Sequence, residues 1–128
     1  MRWRGNRIGI DKDQPTRLEL LMSYLNARGM FPDSKIASLQ TGHGYHIKIF
    51  HPSDIEQNIA VRRHLGDDPQ RIAYDESRKR FPALHDWIDT LFEIKIKNGK
   101  VTREEPCNIF AEQFYGYKLP CRKVKKNA

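Results

Sequence analysis

Cysteine is scarce in this chain of 128 residues: there are two, Cys107 and Cys121, and no CxxC pair. That excludes the usual zinc-ribbon pattern and fits a reducing, cytoplasmic setting. Long apolar runs are missing too. None approaches the roughly 18 residues that a membrane span needs, so no membrane partner is expected. The basic start, MRWRGNR, is not followed by an apolar signal core, which argues against secretion. The chain also lacks internal repeats, low-complexity tracts and an interdomain linker. Acidic charge is the minority sign: 23 Lys and Arg stand against 16 Asp and Glu, a formal net charge of +7. A basic surface attracts polyanions, of which nucleic acid is the commonest.

What remains is a chain of single-domain size. Hydrophobic residues make up 38% and charged residues 30%, which fits a folded domain without staples rather than a disordered chain. One domain over residues 1–120 is expected, with 121–128, CRKVKKNA, as a basic flexible tail. RIGIDKD (7–13) reads as a strand, with Ile8 and Ile10 on one face and Gly9, Asp11 and Asp13 on the other. Pro15 ends it, and Leu18, Leu21, Met22 and Leu25 recur at helical spacing over 16–28, with Gly29 as a C-cap. KIASLQ (35–40) and YHIKIF (45–50) read as strands joined by the turn TGHG. A second helix starts at Ser53 or Asp54 and runs to Gly66. RIAYD (71–75) reads as a fourth short strand, with a helix as the other reading. LFEIKIK and KVTRE form a hairpin around Asn98-Gly99. The aromatic residues after Pro106 (Phe110, Phe114, Tyr115, Tyr117) suit a closing helix. The order β-α-β-β-α-β predicts an α+β fold of RRM-like or ferredoxin-like split β-α-β type: a mainly antiparallel sheet with helices on one face.

Three groups of residues could carry chemistry. Asp11 and Asp13 leave the same face of one strand and repel each other unless a cation lies between them, which suits Mg²⁺ or Mn²⁺. The bland alternative is a strand end, with Asp13 capping the next helix. In TGHGYH, Gly42 and Gly44 allow close backbone approach to a phosphate, and His46 and Lys48 share a face. The alternative there is a plain hairpin turn. HxxH without a third ligand makes a poor zinc site. The run 61–80 holds Arg62, Arg63, Arg71 and Arg78, suited to phosphate or nucleic-acid backbone, or else to a solvated charged helix. Asp75 follows the small apolar run Ile72-Ala73-Tyr74.

In this order the motifs resemble those of the archaeo-eukaryotic primase superfamily, over residues 7–78. Ile8-Gly9-Ile10-Asp11-Lys12-Asp13 matches its hydrophobic-Asp-x-Asp strand, with Lys12 where a hydrophobic residue is usual. Gly44-Tyr45-His46, preceded by Thr41-Gly42, matches its small-x-His motif, and Ala73-Tyr74-Asp75 its later hydrophobic-Asp. The resemblance implies a primase-like nucleotidyltransferase of DNA replication or repair, adding nucleotides by two-metal phosphoryl transfer, in a stripped archaeal, viral or plasmid form. Asp11, Asp13 and Asp75 would be catalytic and hold Mg²⁺ or Mn²⁺. Thr41, Gly42, Gly44, His46 and Lys48 would bind the nucleoside triphosphate, and Arg62, Arg63, Arg71 and Arg78 the nucleic acid. Single-stranded DNA or RNA and other replication subunits are the implied partners.

Two other functions suit the same residues. One is a non-catalytic module binding single-stranded nucleic acid through Tyr45, Phe50, Tyr74 and the arginines. The other is a replication-initiator nuclease with Tyr115 or Tyr117 as nucleophile, although the second histidine of its metal strand is absent after His46.

Overall fold

Alternation in IGIDKD and GYHIKIF builds the sheet. A computed structural model describes residues 3, 5–42, 44–92 and 94–107. The aromatic segment after Pro106 expected to form a closing helix, with Tyr115 and Tyr117, and the tail 121–128 lie outside the described residues.

Strand β1 (Ile8–Asp13) leads to helix α1 (Arg17–Met30), then strands β2 (Lys35–Gln40) and β3 (Gly44–Phe50). Helices α2 (Ile55–His64) and α3 (Pro69–Arg78) follow, then a 3-10 turn over Pro82–Trp87. Strands β4 (Ile94–Lys97), β5 (Lys100–Arg103) and β6 (Glu105–Pro106) complete the described chain. The main sheet is antiparallel and open, in the order β1-β3-β2-β6. Both β1 and β2 run antiparallel to β3, so they run parallel to each other with β3 between them.

Register decides the two faces of the sheet. Ile8 lies opposite Ile49 and Ile10 opposite Ile47, and all four are fully buried. They form one core with Tyr45, with Leu20 and Ala27 of α1, and with Val61 and Leu65 at the end of α2. Each such isoleucine contributes about 1.5–3 kcal/mol over an exposed one. Helices α1 and α2 therefore cover one face, and Gly9, Asp11, His46 and Lys48 stand on the other. Lys12 faces the core side. Burial pushes its ammonium below the ordinary lysine value, against the pull of Glu19 and Asp67.

Local signals explain most boundaries. Thr16 caps α1: its hydroxyl accepts from Glu19 N at 3.1 Å, and the Glu19 carboxylate accepts from Thr16 N at 3.3 Å. The cap is therefore Thr16 rather than Asp13, and the helix passes the expected stop at Gly29 to end at Met30. Asp54 caps α2. Asn98 and Gly99 both have positive φ, 53° and 74°, as a type I′ turn demands, and β4 pairs with β5.

Residues 71–75 are helix, not a fourth strand. Asp68 accepts from Gln70 N at 2.9 Å and Pro69 sits at the helix start, a strong start signal. The outer edge of β1 is instead closed by side chains. Gly9 N donates to Asp89 Oδ2 (2.8 Å) and Asp11 N to Asp67 Oδ1 (2.7 Å), while Arg71 donates to Gly9 O (3.3 Å). Cys107 is disulfide-bonded, which a reducing compartment does not favour. Among the described residues no helix is long and apolar enough to cross a membrane.

Candidate functional site

The face away from α1 and α2 holds the polar residues of β1 and β3. Asp11 and His46 are paired directly across the strands. His46 Nε2 lies 3.6 Å from Asp11 Oδ1, beyond a good hydrogen bond. The other ring nitrogen, Nδ1, donates to Glu104 Oε1 at 2.5 Å, and Lys48 Nζ donates to Glu104 Oε2 at 2.9 Å. Glu104 thus fixes the ring with its Nε2 edge toward Asp11. Burial works to raise the Glu104 carboxyl, but hydrogen bonds from His46 and Lys48 outweigh it and hold it below the ordinary carboxylate value.

Glu104 is the residue that sequence reasoning missed. It precedes the two-residue strand β6, which pairs with Leu39 and Gln40 of β2. Nothing in the local pattern of TREEP announces that its side chain reaches two strands further on. The His46 and Lys48 side chains are 3% and 8% exposed, Asp11 is 27% exposed, and Asp13 lies in solvent.

Gly44 of the TGHG turn answers to packing. A Cβ on Gly44 would collide with the Lys12 carbonyl, so the two backbones set that residue. Thr41 Oγ1 accepts from Gly44 N at 3.0 Å and helps close the turn. Thr41 and Gly42 also line a cleft of about 460 Å³ with Thr102 and Arg103 of β5.

The arginines divide sharply. Arg62 is fully buried and donates to Asp67 (2.8 Å), Asp75 (2.7 Å) and Asn58 (3.1 Å). Arg71 binds Asp67 at 2.6 Å and Asp89 at 2.9 Å. Burial works to lower its guanidinium, yet the two aspartates prevail and hold it above its ordinary value. Arg78 pairs with Asp75 at 2.9 Å and is half-exposed, and Arg63 reaches out to Glu76 at 3.3 Å. Asp75 therefore belongs to the ionic network beside β1, where it also accepts from Asp89 N at 2.9 Å.

The predicted constellation is brought together in part. Asp11, His46 and Lys48 gather on one face with Asp13 beside them, whereas Asp75 lies in the arginine network. Among the described residues no group of three or more His, Cys, Asp or Glu could alone hold a metal ion. Asp11 Oδ1 and His46 Nε2 offer one oxygen and one nitrogen. That suits a divalent cation that keeps waters and gains its remaining ligands from a substrate phosphate. Comparison with protein-family models, with curated proteins and with solved structures found no match.

Proposed function

We propose that the sheet face bearing Asp11, His46 and Lys48 is a primase-like nucleotidyl-transfer site on an RRM-like split β-α-β palm, working with Mg²⁺ or Mn²⁺ and a nucleoside triphosphate on single-stranded nucleic acid. The observation that carries this reading is the register of Asp11 opposite His46. It sets the Asp-x-Asp strand and the small-x-His strand side by side, with the two side chains 3.6 Å apart. Asp11 would hold the cation with His46 Nε2, and Asp13 and the triphosphate would complete its shell. Glu104, rather than Asp75, is the acid that completes the group, by fixing His46 and neutralising Lys48. The formal charge of +7 supports a polyanionic partner.

The test is primer synthesis and extension on single-stranded DNA with each metal, using dNTPs and NTPs. Metal-dependent product is expected from wild type and none from Asp11→Asn, which keeps the size of the side chain. Product from a folded Asp11→Asn variant at the wild-type rate would refute the assignment.

A second reading has its own observation. Tyr74, Trp87 and Phe92 are exposed and share a groove with Arg78, whose guanidinium lies 5.7 Å from the Tyr74 ring centre. Aromatic and arginine side chains together suit single-stranded nucleic acid without catalysis. Salt-sensitive binding without metal, unchanged in Asp11→Asn, together with no synthesis by wild type, would favour this reading.

A further inference from the structure

The N-terminal end of β1 opens into a cleft of about 390 Å³ lined by Trp3, Asn6, Arg7, His85, Asp86 and Asp89, the last already paired with Arg71. It shares no residue with the Asp11–His46 cluster. Arg7 and Asp11 are four residues apart on an extended chain, roughly 13 Å. The volume lies at the small end of the range for organic ligands.

Arg7 gives the cleft its chemistry. Its Nη1 is buried and has no hydrogen-bond partner, and no ion pair forms between Arg7 and the described residues. Arg62, Arg71 and Arg78, by contrast, each bind an aspartate. A partly desolvated guanidinium without a counter-anion is costly. A phosphate supplies both the charge and paired oxygens that match the guanidinium fork.

Trp3 supplies an aromatic wall. Its indole Nε1 donates to Ser53 O at 2.9 Å, which fixes the ring, and the residue is only partly buried. Gly5 has a positive φ of 60°, and a Cβ there would strike Ser53 O and the Trp3 ring. The backbone at Gly5 is therefore held in one shape. Across the cleft, His85 Nε2 donates to Lys79 O at 2.9 Å, which stiffens the opposite wall, and Asp86 offers an exposed carboxylate.

The geometry points to a nucleoside 5′-monophosphate group as the ligand of this cleft, its phosphate on Arg7 and its base against Trp3. Asp86 is the acceptor available to a ribose hydroxyl. A free nucleotide and the 5′-phosphorylated end of a nucleic acid share this chemistry. The site does not depend on phosphoryl transfer at Asp11.

Calorimetric titration of the whole chain tests it, with adenosine 5′-monophosphate, adenosine, inorganic phosphate, and one oligonucleotide with either a 5′-phosphate or a 5′-hydroxyl. Saturable binding of the monophosphate is expected, at least about tenfold tighter than adenosine or phosphate alone, since a charged bidentate contact is worth that much. Arg7→Met and Trp3→Leu should each weaken it at least about tenfold. Competition by the phosphorylated oligonucleotide alone identifies a nucleic-acid end, and failure of both oligonucleotides to compete identifies the free nucleotide. Absence of saturable binding by both the monophosphate and the phosphorylated oligonucleotide overturns the proposal. So does undiminished binding in an Arg7→Met variant that melts like wild type. Should Arg7→Met fail to fold, Arg7→Lys keeps the charge and loses the fork, and undiminished binding there overturns it equally.

Discussion

Arg62 and Arg63 are neighbours in sequence with opposite surroundings, and exchanging each for methionine separates a buried ionic network from a surface one. The Arg62 side chain is 0% exposed and that of Arg63 is 59% exposed. Removing Arg62 takes a charged donor from Asp67, Asp75 and Asn58 and leaves two buried carboxylates with less compensation. Breaking a buried pair from one side costs about 3–5 kcal/mol. The lower end applies here, because Asp67 keeps Arg71 and Asp75 keeps Arg78. The substitution also relieves Arg62 Nη2, which is buried without a partner. A loss of about 3 kcal/mol is a large share of the roughly 5–15 kcal/mol typical of a domain. For a chain of this size it corresponds to a fall in Tm of roughly 10–15 °C. Arg63→Met breaks only an exposed pair and should cost about 0.5 kcal/mol or less. Urea unfolding followed by circular dichroism reads both. A loss below about 1 kcal/mol for Arg62→Met, or equal losses for the two variants, would show that the network does not hold α2 and α3 to β1.

Three further outcomes follow from the same contacts. Asp89→Ala leaves Gly9 N without its acceptor and Arg71 with one aspartate fewer; a loss of about 2–3 kcal/mol is expected, with faster amide exchange at Gly9, and unchanged exchange there would count against the sealed edge. Gly44→Ala drives a Cβ into the Lys12 carbonyl and should cost about 1–3 kcal/mol; a melting curve like that of wild type would mean that the two strands separate freely. Glu104 is held below its ordinary value of 4.5, so its stabilising share is present above that value and is lost as pH falls through its lower folded value. Urea midpoints across that acid range should therefore fall more steeply in wild type than in Glu104→Gln, and parallel profiles would refute the link.

Strands β1, β2 and β3 were legible because their period of two is clean: KIASLQ is β2 as read, and YHIKIF misses β3 by only Gly44. The Asn-Gly hairpin was legible because both residues tolerate positive φ. RIAYD was not, because five residues of mixed character carry no decisive period, and the Asp68-Pro69 start outweighs the β preference of Ile72 and Tyr74. The 3-10 turn at Pro82–Trp87 and the two-residue strand β6 are too short to leave a periodic trace. Of the site, the shared face of Asp11, His46 and Lys48 follows from alternation and register. Glu104 and the burial of Arg62 do not, since the first depends on a contact between residues distant in sequence and the second on Asp67, Asp75 and Asn58 meeting around one guanidinium. A run of arginines looks the same in sequence whether it faces phosphate or carboxylate.

The two borders of the sheet are finished by different means. At β1 the outward amides of Gly9 and Asp11 end on carboxylates and the Gly9 carbonyl on a guanidinium, so an incoming strand must first dismantle an ionic network. At β2 the cover among the described residues is β6, opposite Leu39 and Gln40, with Cys107 N donating to Ser38 O at 2.9 Å. Unpaired borders are where foreign strands recruit a sheet into larger assemblies. Among the described residues the sheet is therefore finished unevenly: sealed at β1, and without a partner strand at the Lys35–Ala37 end of β2, where the exposed charge of Lys35 opposes self-stacking.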